Sequence, residues 1–221
     1  IGAFWGYKTD GLIQTQEQLN AVKRADFQPN AELGDVLFVD TNGDGKLDSS
    51  DRCMIGNPIP DIIYGINMGM AWKGFDLNLQ FGGTIGNQIF NAMRYYTYFP
   101  NDITNKDRAL MNYWTPNNTN TDIPRLTATD VNDNDRFSDM YVENGTYFRL
   151  RNAQLGYTLP ASLTQRIKLQ KVRFYVSGQN LFTISSYSGM DPEVGQSSSL
   201  SRGIDYGIYP QNISFTGGIN V

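Results

Sequence analysis

Histidine is absent from this sequence, and cysteine occurs once. Without imidazole, the usual acid–base group near neutral pH and the commonest metal ligand are both excluded. One thiol, Cys53, excludes an internal disulfide and a thiolate zinc cluster. It reads as a small packed side chain. No run of eighteen apolar residues exists, so no transmembrane helix is expected. No basic stripe appears, and a net charge of −4 with a pI near 4.8 speaks against nucleic acid as a partner. Ile1 shows neither an initiator Met nor a secretory-signal pattern, so the sequence reads as a piece cut from something longer. What is plentiful is aromatic residues, at 13%, and glycine, at 22 residues.

One run holds a metal-type pattern. Asp40-Thr41-Asn42-Gly43-Asp44-Gly45-Lys46-Leu47-Asp48-Ser49-Ser50-Asp51 is a twelve-position loop with oxygen side chains at positions 1, 3, 5, 9 and 12 and glycine at position 6. Calcium takes six to eight hard oxygen ligands, and the glycine permits the sharp turn among them. The expected ligands are the side chains of Asp40, Asn42, Asp44 and Asp51, the backbone carbonyl of Lys46, and Asp48 directly or through water. Asp51 stands where glutamate is usual, a shorter arm. The bland reading is a solvated polar turn. The stretch before it, Val36 to Val39, reads as a strand, and no flanking helices are present to open as in a sensor. The expected role is therefore structural, with calcium fixing a long loop.

The first sixty residues otherwise read mostly as loop, with a short helix from Thr15 to Arg24 behind a Thr15/Gln18 capping box. From Ile62 the pattern changes. Ile62, Tyr64, Ile66, Met68, Met70 and Trp72 alternate with small or polar residues, the period of a strand. Lys73-Gly74 reads as a tight turn. Phe75, Leu77, Leu79 and Phe81 then alternate with Asp76, Asn78, Gln80 and Gly82. Residues 83–146 carry few strand signals, apart from a short helix expected over Thr104 to Trp114. Strand character returns over Tyr147 to Tyr157, where a change of parity predicts a bulge near Asn152. A connector with a short helix over Leu159 to Lys168 leads to a strand through Val172, Phe174 and Val176. A loop over 183–212 precedes a last strand, Ile213 to Val221.

Five strands with one apolar face admit two solvents. In a soluble sandwich the apolar face packs inward and loops stay short. In an outer-membrane barrel it meets lipid, with tight turns on one side and long loops on the other. The loop lengths here favour the barrel, as do Trp72, Phe75 and Tyr157 beside the turns, where an interfacial girdle belongs. Five strands cannot close a barrel, so strands upstream of this sequence are expected.

Gly34-Asp35-Val36 through Asp44-Gly45, Asp51-Arg52, and Ile55-Gly56-Asn57-Pro58 with Pro60-Asp61 resemble the SusC/RagA group of TonB-dependent outer-membrane transporters. So do Tyr64-Gly65, Lys73-Gly74-Phe75-Asp76-Leu77, Leu150-Arg151-Asn152, Leu155 to Pro160, Asn180-Leu181-Phe182-Thr183, Tyr187 to Glu193, and Tyr209-Pro210. The resemblance implies an all-β fold, the C-terminal strands of an antiparallel transmembrane barrel of about 22 strands with long extracellular loops. It implies residues 1–61 as an extracellular region carrying the calcium-type loop 40–51, and 62–221 as barrel strands with extracellular loops 83–146 and 183–212. It implies import of oligosaccharide or oligopeptide across a bacterial outer membrane, driven by the TonB complex through a plug not seen here. The expected partners are a SusD-like surface lipoprotein, the upstream part of the same transporter, glycan or peptide substrate, and outer-membrane lipid. Such chains usually end in an aromatic residue, so a few terminal residues are expected beyond Val221. No enzymatic role is expected. The alternatives are a calcium-stabilised surface scaffold without transport and a secreted β-sandwich enzyme acting on carbohydrate.

Three further groups have a chemistry to weigh. Tyr95, Tyr96, Tyr98 and Phe99 suit stacking on sugar rings, although loop packing or contact with a lid protein is the commoner fate. Asp191 and Glu193 resemble a paired carboxylate, but no histidine or pocket signal accompanies them. Asp76, Asn78 and Gln80 are expected to face the lumen, by default as solvated wall. Asn-x-Ser/Thr triplets at Asn117, Asn144 and Asn212 carry no weight in a bacterial setting.

Overall fold

The computed structural model describes residues 2–98, 105–194 and 201–221. Its strands are β1 (Phe4–Gly6), β2 (Thr9–Leu12), β3 (Val36–Phe38), β4 (Cys53–Gly56), β5 (Ile62–Trp72), β6 (Phe75–Ile85), β7 (Gln88–Asn91), β8 (Val142–Asn144), β9 (Tyr147–Thr158), β10 (Arg173–Ser185), β11 (Ile204–Asp205) and β12 (Ser214–Asn220). Its α-helices are α1 (Gln16–Arg24), α2 (Ala92–Thr97) and α3 (Ala161–Thr164). No described helix is long and apolar enough to cross a membrane, which says nothing of crossing by strands. The chain divides into two compact units, each assembled from three segments.

One unit comprises Pro60–Asn87, Asn144–Glu193 and Tyr209–Val221. It is a five-stranded sheet in the order β12-β10-β9-β6-β5, antiparallel throughout. The five strands read from the sequence are these five. β5 and β6 are joined by Lys73 (φ 46°) and Gly74 (φ 89°). Two successive positive φ values make the tight hairpin turn whose twist matches the strands it joins. A Cβ on Gly74 would press on the Thr158 carbonyl, so glycine also permits a close approach there.

Pairing sorts the side chains onto two faces. Ile66 lies opposite Phe81, Met68 opposite Leu79 and Met70 opposite Leu77. Leu77 lies opposite Leu155, which lies opposite Val176. The same face carries Phe215 and Ile219 of β12. It is open: Met68 is 52% exposed, Val176 60% and Phe215 78%. Contiguous apolar surface on this scale marks a face that meets something other than water. Aromatic rings gather at both of its ends. Phe75 and Tyr157 meet at 4.5 Å beside the turn, with Trp72 and Phe174 paired to them. At the far end Tyr64, Phe81 and Phe182 surround Phe148 with ring centroids 5.2–6.5 Å apart.

The bulge falls one residue from its expected place. Gln80 faces Asn152 but Phe81 faces Leu150, which leaves Arg151 as the extra residue of β9. β10 carries two extra residues at the same level, Asn180 and Leu181. β6 and β10 both run three residues beyond the sequence reading, to Ile85 and Ser185.

The other unit comprises Ile1–Ile59, Gln88–Glu143 and Val194–Ile208. Segments that read as loops therefore hold packed structure. Tyr7, Leu12, Phe27, Val36, Phe38 and Trp114 form one buried cluster, and Phe4, Phe90, Ala92 and Tyr141 form another. Short strand pairs β1–β4 and β2–β3 and the sheet β11-β7-β8 tie these segments together. The helix at Thr15 forms as expected, with both bonds of the capping box present and Leu19 buried. The expected helix over Thr104 to Trp114 is corrected. Thr104 lies outside the described residues, and the described part holds only a 3-10 turn, Arg108–Asn112, capped by Asp107. The Trp114 side chain leaves the turn to enter the core, and its backbone N–H donates to the Ile123 carbonyl at 3.0 Å. Tertiary burial outweighs the weak propensity of one short turn. The helix expected over Leu159 to Lys168 is shortened to α3 followed by a 3-10 turn, Gln165–Ile167.

Candidate functional site

The acidic loop leaves β3, and β3 is held on both edges. One edge pairs with β2. The other is bonded by side-chain amides: Gln28 takes the Phe38 N–H at 3.0 Å and donates to the Val36 carbonyl at 2.9 Å, and Asn134 takes the Val36 N–H at 2.8 Å. Asp35, fully buried, receives the Arg125 guanidinium at 2.6 Å and Asn134 Nδ2 at 3.0 Å. A buried charge needs such partners, and here they fix the start of the loop.

Within the loop, carboxylates bind the loop's own amides. Asp40 accepts from Gly43 N–H at 2.6 Å and Gly45 N–H at 2.8 Å. Asn42 Oδ1 accepts from Asp44 N–H, and Asp44 Oδ1 accepts from Lys46 N–H. Asp48 Oδ1 accepts from both the Ser50 N–H and hydroxyl at 2.7 Å. Asp51, with no exposed surface, clasps the two ends: its carboxylate accepts from Thr41 N–H and Asp48 N–H, each at 3.0 Å. Gly43 (φ 78°) and Gly45 (φ 76°) supply the left-handed turns that let Asp40 reach across.

All six expected ligand positions thus lie in one closed loop, and its donor chemistry suits a hard cation. Among the described residues, however, no three His, Cys, Asp or Glu side chains are arranged to hold a metal ion. Asn42 Nδ2 occupies Asp44 Oδ2 at 3.1 Å, and Ser50 occupies Asp48. A cation would displace those two contacts. The Gly45 amide, followed by that of Gly43, holds the Asp40 carboxyl below its ordinary pKa, against some desolvation. The Ser50 hydroxyl and amide do the same for Asp48.

The carboxylates Asp191 and Glu193 are ion-pair partners. Arg149, 1% exposed, donates to Asp191 at 2.5 Å, Glu193 at 2.9 Å and the Thr183 hydroxyl at 2.8 Å. The bulge residue Arg151 donates to Glu193 and to the Tyr147 hydroxyl, each at 3.1 Å. Asp191 also accepts from the amides of Glu193 and Gln211. Arg149 was missed in the sequence. Its only signal was an arginine in a strand alternation, with carboxylate partners more than forty residues away. Asp76 lies on the polar face with Asn78 and Gln80, paired in a fork with Arg173 at 2.8 and 2.5 Å. Of the aromatic group, Tyr95 packs against Phe90 and Tyr141, Tyr98 lies under the Arg94 guanidinium, and Tyr96 is exposed. Phe99 lies outside the described residues.

No family model matches the sequence. The chain is 38% identical to TonB-dependent receptor P3 of Formosa agariphila over 231 aligned residues, which span all of this chain and 22% of that protein. It is 29% identical to TonB-dependent receptor SusC of Bacteroides thetaiotaomicron over 196 residues, covering 88% of this chain and 18% of that protein. Among solved structures, the RagAB peptide transporter superposes with a TM-score of 0.73 at 26% identity, over 98% of this chain and 22% of that chain. The chain thus spans about a fifth of the length of the curated relatives it matches.

The loop's hydrogen bonds have a signed pH dependence. Asp40 and Asp48 titrate below 3.8 in the folded chain, so their contribution is complete above that value and is lost as pH falls through the lowered pKa values. Hydrogen exchange at the Gly43, Gly45 and Ser50 amides is expected to stay protected on acidification from neutral pH until below 3.8, then rise. Loss of protection already in mild acid contradicts this assignment.

Proposed function

We propose, for a chain that belongs as a segment with the SusC/RagA-type TonB-dependent receptors, that it supplies the C-terminal wall and outer loops of a barrel importing oligosaccharide or oligopeptide across a bacterial outer membrane. The supporting observation is the two-faced sheet. Its apolar face is exposed between two aromatic belts, and Tyr64 and Trp72 lie eight residue steps apart along β5. At ~3.3 Å per residue the step is ~26 Å along the strand, on the order of the ~25 Å apolar band of outer-membrane barrels before tilt shortens it. The opposite face is polar, and its charges are paired within the sheet and its flanking segment. Such a wall meets lipid outside and a wet path inside. In this reading a SusD-type surface lipoprotein closes the outer mouth, and TonB acts on a plug supplied by the remainder of the transporter. In this reading the chain makes and breaks no bond, and the carboxylates weighed for such work, Asp191 and Glu193, are paired with arginines.

The faces give the direct test. Met68→Lys in the full-length transporter places a charge in the apolar band and is expected to cost about 2–4 kcal/mol at mid-membrane depth. Its neighbour Asn67→Lys points to the polar face and costs little. Folded barrel in outer-membrane fractions, scored by heat-modifiable mobility, should fall for the first variant and not the second. Equal loss in both would sink the lipid-facing assignment.

Uptake sets the cargo. Cells lacking the full-length gene are expected to lose TonB-dependent growth on one defined nutrient class, peptide or glycan. Undiminished growth on every peptide and glycan tried would overturn the import reading.

The same proposal includes calcium at Asp40, Asn42, Asp44, Lys46, Asp48 and Asp51, as a staple of an outer loop. The oxygen spacing and the Gly45 turn support it. Metal analysis of the purified transporter, equilibrated in millimolar calcium, is expected to show one ion that Asp40→Asn with Asp44→Asn removes. No bound calcium in the unaltered protein would refute it.

A further inference from the structure

Arg149 is an odd residue to find buried on a polar sheet face. Its strand neighbours toward the turn are open: Asn78, Gln80 and Gln179 are all exposed. At the far end of the sheet the polar face closes over larger side chains, and Gly82, Tyr147 and Arg149 are buried there. The cover is the segment Tyr187 to Glu193, which leaves the end of β10 and folds back.

Three fastenings hold that segment. Arg149 grips Asp191 and Glu193 with separate nitrogens. Arg151 grips the second oxygen of Glu193. Asp191 Oδ2 takes the Gln211 N–H, which ties the chain entering β12 to the same point. The bulge is what makes this possible. The extra residue in β9 turns Arg151 toward the same carboxylate as Arg149, and Gly82 opposite leaves the room that Arg151 Nε and Cδ occupy. Tyr187 and Pro192 are buried, while Met190 between them is 68% exposed. The segment therefore presents one bulky apolar side chain away from its fastening.

We propose that Tyr187–Glu193 is an inward strap that narrows the transport path, that Arg149 is its positioning residue, and that Met190 helps set the size of what passes. This rests on the polar face being the wall of the path, the reading given above. Charge pairing suits the task, because a forked arginine–carboxylate contact fixes direction as well as distance. A strap held by one flexible lysine would not define a width.

The test uses the full-length transporter in intact outer membranes, in a Cys53→Ser background. Gln80→Cys places a thiol on the open polar face beyond the strap, and Met68→Cys places one on the apolar face. Maleimides of graded size, from a small reagent to a polyethylene-glycol conjugate, are added from outside. With the strap fastened, Gln80→Cys should react with the small reagent and exclude the large one. Asp191→Asn with Glu193→Gln should admit the large reagent several-fold faster, with small-reagent labelling unchanged. Met190→Trp should slow reagents of intermediate size several-fold. Arg149→Lys should fall between the unaltered protein and the double variant. If the double variant fails to assemble, Met190→Trp decides alone. Rates equal to those of the unaltered protein, for the large reagent in the double variant and for intermediate reagents in Met190→Trp, would overturn the strap. The two readings fail differently: Met68→Cys labelling readily in membranes while Gln80→Cys does not would remove the barrel orientation itself.

Discussion

A backbone amide inside hydrocarbon has no water to turn to, and the five-stranded sheet is organised by that constraint. Each strand must find its hydrogen-bond partners in its neighbours, so register is not negotiable. Register in turn decides which side chains share a face, because a slip of one residue exchanges the two faces wholesale. The uninterrupted ladder from Ile62/Ile85 to Trp72/Phe75 places six apolar residues of β5 on one side. The same logic makes β5 and β12 incomplete as they stand. Each ends the sheet with one edge that no strand among the described residues covers, and in a bilayer such an edge requires a neighbour.

The polar face obeys a second rule, charge balance at close range. Arg173 is neutralised by Asp76, and Arg149 and Arg151 by Asp191 and Glu193. Arginine suits these positions better than lysine, since its planar fork meets two carboxylate oxygens at once. A face paired in this way presents hydrogen-bonding groups while its arginines and carboxylates neutralise one another.

How much of this was legible beforehand depended on range. β5 was readable to the residue because its signal is dense and local: eleven residues in strict alternation, closed by Lys73-Gly74. The capping box at Thr15 was readable for the same reason. The bulge announced itself through the parity change between Leu150 and Leu155. The calcium-type loop was legible as spacing, but its amide bonds were not, because backbone donors are the same in every sequence. Hidden too was the packed unit around Phe4, Tyr7, Phe90 and Trp114. Apart from α1, its described elements are two to six residues long, below the length at which a period can be counted, and they exist because distant segments bury one another. Arg149 was invisible on the same grounds. Nothing near it in sequence distinguishes it from a solvated strand arginine.

The bulge has a further consequence, best put in terms of phase. A strand that alternates in and out is a two-beat rhythm, and an extra residue is a skipped beat. β9 carries one extra residue, so its later half runs out of step with its earlier half in sequence. β10 carries two, so its halves stay in step. The two strands keep one common face only because these counts match the geometry at a single level. Length variation is consequently quantised here. Loss of either Asn180 or Leu181 alone would turn Phe182 and Ile184 toward the polar face and Thr183 toward the apolar one, whereas loss of both leaves the later residues of β10 on their own sides. Substitutions in this wall test single side chains; single-residue deletions invert half a strand.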